Sequence, residues 1–508
     1  MIEVCEKLYP PGYSGVIDFG RDAFAYLELA WEGDETLEAA VGECIIGNCI
    51  DRAPGGFRYF RTIAVKQGVP GTWQRLLLPP HKSPYPDGYR PLPYPAEANG
   101  EIAPFRYVEI LNAKTPVKLR RCAIFPQWDE NASAFECDNA ALNKVWDLCK
   151  YSMKATAAFG KFIDGERERV PYEGDTYINQ LGYFCCQPDY SIAKATIEHF
   201  RHNPTWPTEW RLLTPLIARD YLRYSGDKES VASWLPFLDE CLLSEQEDDS
   251  GFIGKKEKGD IVDWPPCERD GYLLRDRNCV PNCCRYAALS AMYELTGKTE
   301  YLSRAAALRQ NLRAKFLRNN FWQDNLVDEH YSLHGAVFAQ VSGATEFDEY
   351  AKINEFLLSR GMACSVYGAQ FLLEAFGTLR NPQAMLDLMT ATGNRSFTGM
   401  MEQGATITME AWNNTVKPNQ DWNHAWGASP ANIIPRWIAG IRPCKAGFTE
   451  FVFDPQPGYL KEFFCRKPTL HGPVEVEWSD GRGIIDIPTG ITAVFRNRKL
   501  DGGRHDFR

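Results

Sequence analysis

The hydrophobic period of this chain changes twice, and those two changes limit what it can fold into. Through about residue 125, apolar and aromatic residues fall in short runs at 24–31, 58–65, 105–111 and 117–124, bounded by Gly, Pro and Asp. Such runs read as strands, and several of them joined by turns suggest a β-sandwich. Seven prolines between 79 and 95 interrupt them as a surface excursion. After Asp138 the spacing shifts to three and four. Leu142, Val145, Trp146, Cys149 and Met153 share a face that Asp138 could cap. Residues 286–295 end at Gly297, and Thr299 could cap a partner helix with Leu302, Ala305, Leu308, Leu312 and Phe316 on one stripe, which makes an αα-hairpin. Stripes also run through 208–224, 229–243, 348–360, 365–377 and 382–390, with no self-similar repeat among them. A closed toroid of about twelve helices fits this spacing. From Gly447 strand patterns return at 448–453, 474–478, 484–487 and 491–495, before a polar tail from Asn497 that is expected to fray. The expected units are an N-terminal β-sandwich (1–130), a helical toroid (131–443) and a small C-terminal β-sandwich (444–508).

Bulk properties exclude several classes of function. A net charge of −10 argues against a nucleic-acid surface. No apolar run approaches the ~20 residues of a membrane span, and the N-terminus shows no signal peptide, so a cytoplasmic protein is expected. The 16 cysteines form no CxxC pattern and read as buried thiols in a reducing compartment. There is no HExxH, P-loop, GxGxxG after a strand or GxSxG, so neither a metal nor a cofactor is expected. A homodimer is left open.

Four loops concentrate chemistry. Residues 164–175 (DGERERVPYEGD) hold Asp164, Glu166, Glu168, Glu173 and Asp175 with Arg167 and Arg169, beside Tyr172. Gly165, Pro171 and Gly174 mark the stretch as irregular. Residues 260–272 place Asp263 beside Trp264. Residues 404–414 set a lone carboxylate, Glu410, among small and apolar residues with Trp412 two along. Residues 419–430 carry His424 between Trp422 and Trp426. Each loop has a structural explanation, such as an N-cap, a core Trp or a satisfied histidine. Their clustering at helix ends favours a pocket. Two distant carboxylates in an aromatic pocket are the minimum for glycoside hydrolysis, where one stays protonated and the other ionised. Like charges around Glu168 suit the acid, and the isolated Glu410 suits the base. Glu168 should then be the more buried, with a raised pKa, and the carboxyls should stand ~6.5–9.5 Å apart to admit a water.

The motifs at 164–175, 404–412 (GATITMEAW), 423–430 (NHAWGASP), 439–443 (AGIRP) and 487–494 (IPTGITAV) together resemble those of the bacterial α-L-rhamnosidases of glycoside hydrolase family 78. The resemblance implies an (α/α)6 toroid and an inverting release of terminal α-L-rhamnose from a rhamnoside substrate. It also implies Glu168 as general acid, Glu410 as general base, and Asp164, Arg167, Tyr172, Asp175, Trp264 and His424 as sugar contacts. Asp263, Trp412, Trp422 and Trp426 join the expected substrate site from the loop reading. Two other readings stay open: the same toroid acting on another hexoside or a uronide, and a non-catalytic sugar-binding protein.

Overall fold

The computed structural model describes residues 1–55, 59–66, 68–81, 91–254 and 259–508. Arg58 and, within the proline-rich stretch, Pro84 and Pro86 lie outside them. The architecture is mixed, with N-terminal sheets, a helical centre and C-terminal sheets. No helix among the described residues is long and apolar enough to cross a membrane.

In the N-terminal sheet the strands run in the order Ile2–Tyr9, Val117–Ile124, Ile17–Ala30, Ala103–Ile110, Leu37–Gly42 and Phe60–Val65, and Gln74–Arg75 also pairs with Ile17–Ala30. Alternation along these strands puts Leu27, Leu29, Val41, Phe105 and Leu119 into one core. Ala155 and Ile407, from the helical part, reach into that core.

The helices are α1 Ala140–Thr156, α2 Glu173–Cys186, α3 Ser191–Phe200, α4 Thr208–Ser225, α5 Lys228–Glu240, α6 Cys279–Thr296 and α7 Thr299–Phe316. They continue with α8 Leu333–Ser342, α9 Tyr350–Arg360, α10 Val366–Thr378, α11 Pro382–Thr390, α12 Phe397–Glu402 and α13 Pro430–Ile433, which runs into a π turn at Ile434–Ile438. Contacts link α2 to α4, α4 to α6, α6 to α8, α8 to α10, α10 to α13, and α13 back to α2. The inner helices are buried on nearly every face, as in α2 and α10. Outer ones such as α7 bury a single stripe, with Ala305, Leu308, Leu312 and Phe316 inside. Leu302, expected on that stripe, is exposed.

Two expected caps move by one residue. The side chain of Asn139, not Asp138, accepts the amides of Ala141 and Leu142 at α1, because Asp138 points instead to the backbone of Lys461. Thr299 is the first helical residue of α7 and Lys298 takes the cap position. The stretch at 164–175 is also only partly irregular. Its last three residues, from Glu173 on, open the first turn of α2.

At the C-terminal end one sheet runs Ala134–Cys137, Glu462–Lys467, Val474–Ser479, Arg482–Ile487, Gly503–Phe507, and another runs Ile441–Pro443, Glu450–Phe453, Thr492–Phe495, Arg498–Leu500. Their inner faces belong to the same contiguous core as the helices. The tail does not fray. Gly503–Phe507 pairs antiparallel with Arg482–Ile487. The Phe507 ring packs edge-on against Phe453, 4.8 Å between centroids, and stacks on Trp478 at 5.9 Å. A Cβ at Gly483 would sit 2.1 Å from that ring, so the glycine is what admits it. The polar spelling of the tail hid one buried aromatic anchor. Phe507→Ala should cost about 3 kcal/mol, the low end for a truncated core phenylalanine. Differential scanning calorimetry should show this as a lowered midpoint, and an unchanged midpoint would mean that the strand is peripheral.

Candidate active site

The segment before α2 folds back on itself. The Asp164 amide donates to the Val170 carbonyl at 3.0 Å and the Arg169 amide to the Gly165 carbonyl at 2.9 Å. Asp164 Oδ1 accepts the Val170 amide at 2.9 Å. This knuckle turns the Arg167 and Glu168 side chains into one cavity, and Arg169 adopts φ 57° to close it. Gly165 is required here, since a Cβ would lie 2.6 Å from Asp421 Oδ2. The segment 421–423 uses the space. Asp421 Oδ2 accepts the Arg167 amide at 3.2 Å, and Asn423 Oδ1 accepts the Glu166 amide at 2.8 Å. Asn423 Nδ2 donates in turn to Glu43 Oε1 of the N-terminal sheet at 2.9 Å.

The cavity encloses about 190 Å³. Asp164, Arg167, Glu168, Asp175, Glu410 and His424 supply its polar lining, and its walls include Tyr172, Trp264 and Trp426. These nine expected residues therefore converge from all four loops. Arg167 sits at the centre. Its Nη2 lies 2.5 Å from Glu410 Oε1 and 3.2 Å from Glu168 Oε1, so these two facing oxygens are within about 6 Å of each other. The guanidinium draws the two together. The order of burial is the reverse of that expected, with Glu410 1% exposed and Glu168 4%. Glu410 is closed in by Arg167, by Lys417 Nζ at 3.1 Å and by the Asp421 amide, which Oε2 accepts at 3.0 Å.

The charge states divide sharply. Burial alone would raise the Glu410 pKa, but Arg167 above all, with Lys417 and the Asp421 amide, holds it below the usual carboxylate value. Burial pushes Asp164 well up, helped by Glu168, Asp421 and Asp175. It does the same to Asp175, helped by Glu410. Burial drives His424 down to about 3, so its imidazole is neutral. His424 Nε2 is 2.7 Å from Asp175 Oδ1. Asp164 Oδ2, Asp175 Oδ2 and His424 Nδ1 are buried with no partner among the described residues. Uncharged acids and an imidazole with free valences can satisfy the donors and acceptors of a neutral polyol. Donor atoms of Glu410, Asp421 and His424 approach within 4.8 Å of one another. Glu410 Oε1 there is already shared by Arg167 and Lys417, so protein cations supply positive charge beside it.

Three expected contacts lie outside the lining. Asp263 is fully buried, its Oδ1 accepting the Trp264 amide at 2.8 Å and the Ser365 hydroxyl, its Oδ2 facing His334 Nε2 at 2.7 Å and the Ser365 amide at 2.9 Å. It holds Trp264 in place and has no oxygen left for a ligand. Trp412 packs on Phe397 and donates to the Cys364 carbonyl at 2.7 Å. Trp422 is buried toward Asn414. Trp426, by contrast, both lines the cavity and donates to the Glu410 carbonyl at 3.0 Å.

Sequence reading missed Trp206, Trp210 and Ile261 in the wall. Trp210 lies in the first turn of α4, where its helical spacing looked like ordinary core. It meets Tyr172 edge-on at 5.5 Å, and Gly174 of α2 makes room for it, since a Cβ would stand 2.6 Å from the indole. Beside it, Glu209 accepts the amides of Ile261, at 2.8 Å, and Val262. Val262 is a β-branched residue at φ 60°, an unfavourable backbone conformation that costs ~1–3 kcal/mol and that this clamp helps maintain.

Residues 130–438 match the bacterial alpha-L-rhamnosidase 6 hairpin glycosidase domain, and residues 440–494 match the bacterial alpha-L-rhamnosidase C-terminal domain. The chain belongs to the bacterial α-L-rhamnosidase family. A family 78 rhamnosidase from Bacillus sp. GL1 has a similar fold at 19% identity and TM-score 0.75, over 96% of this chain and 54% of that one. An α-L-rhamnosidase from Aspergillus terreus gives 14%, 0.76, 99% and 62%. One from Streptomyces avermitilis, complexed with L-rhamnose, gives 15%, 0.76, 100% and 53%. The chain thus spans little more than half the length of two of these proteins and about three-fifths of the third. No curated protein sequence matches it.

Burial raises the Glu209 pKa to about 8, with Asp260 adding to it, against 4.5 for a free glutamate. The folded state therefore favours the protonated acid. Its contribution is complete below pH 4.5 and is lost as pH rises toward 8. Glu209→Gln keeps an acceptor for both amides without the titration, so the fall in thermal midpoint between pH 5 and pH 8 should become shallower. A fall as steep as in the parent protein would place that loss elsewhere.

Proposed function

We propose that this protein is an inverting α-L-rhamnosidase that releases terminal α-L-rhamnose, with Glu168 as general acid and Glu410 as general base. The observation that carries the reading is Arg167, one guanidinium tied to both carboxylates at the floor of an aromatic cavity. The paired helices around that cavity are taken as an (α/α)6 toroid, flanked by β-sandwiches at 1–130 and 444–508. The 16 free cysteines support a cytoplasmic setting.

The cavity's volume suits one sugar ring, below the ~300 Å³ where pockets for larger ligands begin. Trp210, Ile261 and Trp264 offer apolar wall for the C6 methyl of a deoxyhexose. A uronide would need an uncommitted cation. The cation lining the cavity, Arg167, is already shared by Glu168 and Glu410. The neutral Asp164, Asp175 and His424 would bind ring hydroxyls.

In the reaction, Glu168 gives its proton to the glycosidic oxygen as the C–O bond breaks. Tyr172 donates a hydrogen bond to Oε2 of that carboxyl and fixes its direction. Glu410 takes a proton from a water that attacks the anomeric carbon from the opposite face. With Oε1 covered by two cations and Oε2 accepting a single amide, Glu410 keeps one lone pair to orient a water. In a retaining course Glu410 would instead attack the carbon directly. The first sugar released, followed by proton NMR, separates the two: β-L-rhamnose for inversion, α-L-rhamnose for retention.

Either Glu→Gln change should lower turnover of an alkyl rhamnoside ~10²-fold or more with the fold intact. On nitrophenyl α-L-rhamnoside, whose leaving group needs little protonation, Glu168→Gln should recover much of its loss and Glu410→Gln should not. Equal losses on both substrates would mean that the roles are misassigned, and a panel of nitrophenyl glycosides tests the sugar itself.

A further inference from the structure

Trp206 stands apart in the cavity wall. It is 49% exposed, whereas the carboxylates, His424, Tyr172, Trp210, Ile261 and Trp426 are all buried. With the half-buried Trp264 it forms the mouth, and the buried groups form the floor. An indole left half in water forgoes the burial that normally repays a tryptophan in a fold.

Its backbone is nevertheless firmly held. Prolines flank it at 204 and 207, fixing φ on either side. The neighbouring Thr205 gives its amide to Glu173 Oε1 at 3.1 Å and its hydroxyl to Glu173 Oε2. Glu173 is buried and opens α2, directly after Tyr172. The Thr208 amide donates to the Gly259 carbonyl at 2.7 Å. The same α2 terminus that sets Tyr172 against Glu168 therefore sets the height of Trp206 above the acid.

We propose that Trp206 is the platform for the leaving group, a face on which the aglycone ring stacks, so that the enzyme prefers rhamnosides of aromatic or pyranose-ring alcohols over those of small alkyl alcohols. The inference rests on the rhamnosidase reading and extends it to the other side of the scissile bond. About 190 Å³ holds one ring, so whatever is joined to that ring lies at the mouth. The acid must face the bond from the side on which the leaving group departs. Stacking on an indole is tolerant of the ligand's identity, because any flat ring or the C–H face of a sugar can use it.

The test compares wild type, Trp206→Ala and Trp206→Phe on nitrophenyl α-L-rhamnoside and on α-L-rhamnosyl fluoride, whose leaving group has no ring. Trp206→Ala should lose roughly tenfold in kcat/KM on the nitrophenyl substrate, mainly through KM, a loss in the range of one stacking contact. Hydrolysis of the fluoride and inhibition by free L-rhamnose should stay within about twofold of wild type, and Trp206→Phe should recover most of the loss. Equal losses on both substrates, or no loss on either, would overturn the platform while leaving the rhamnosidase reading in place. A wild-type protein that cleaves neither rhamnoside would overturn that reading and this inference together.

Discussion

The site depends on one buried cation. Arg167 touches Glu168 and Glu410 and approaches Asp421 at 3.8 Å, and Asp164 adds to its field. A cluster of so many carboxyls out of water could not all ionise, and a single guanidinium decides which of them does. Glu410, in direct contact with Arg167 and Lys417, keeps its charge, while Asp164, Asp175 and Asp421 are driven toward the neutral acid. The floor of the cavity therefore holds an ionised Glu410 beside the uncharged Asp164 and Asp175. Arg167 can hold this post because its own amide is anchored to Asp421 and because Gly165 lets that anchor approach.

Around the floor, buried carboxylates do a second job as backbone clamps. Glu209 holds 261–262, Glu173 holds Thr205, Asp263 holds Trp264 and Ser365, and Glu43 reaches from the N-terminal sheet to Asn423. Each accepts from amides or hydroxyls of a different segment, so that irregular chain is fixed without regular secondary structure. This accounts for the acidic composition of these loops better than solvation does. It also makes the N-terminal sheet part of the site's support, since Asn423 joins Glu43 to the loop that carries Arg167.

The sequence was informative where periodicity or an unusual residue type spoke alone. The β–α–β order is legible because inner helices are apolar on most faces and strands alternate. Nine of the twelve proposed site residues reach the cavity because charged and aromatic residues seldom gather in loops without a shared pocket. Reading failed where one residue type serves two ends. Asp263, Trp412 and Trp422 looked like ligands for a sugar and are ligands for the protein's own amides, carbonyls and rings. Trp210 looked like core, and the tail looked frayed because Phe507 is one aromatic among polar neighbours.

By itself the sequence determined the succession of strands and helices and the family motifs in the loops that line the cavity. Those depend on local spacing and residue chemistry, which a linear chain displays. Only the tertiary structure decided the protonation pattern, the approach of Glu168 and Glu410 through Arg167, and which tryptophans face the cavity and which the interior. These are properties of distance and desolvation between segments up to 380 positions apart, as in the bond from Glu43 to Asn423. No local pattern encodes such a separation, because the energy of a buried charge is set by whatever the fold brings beside it.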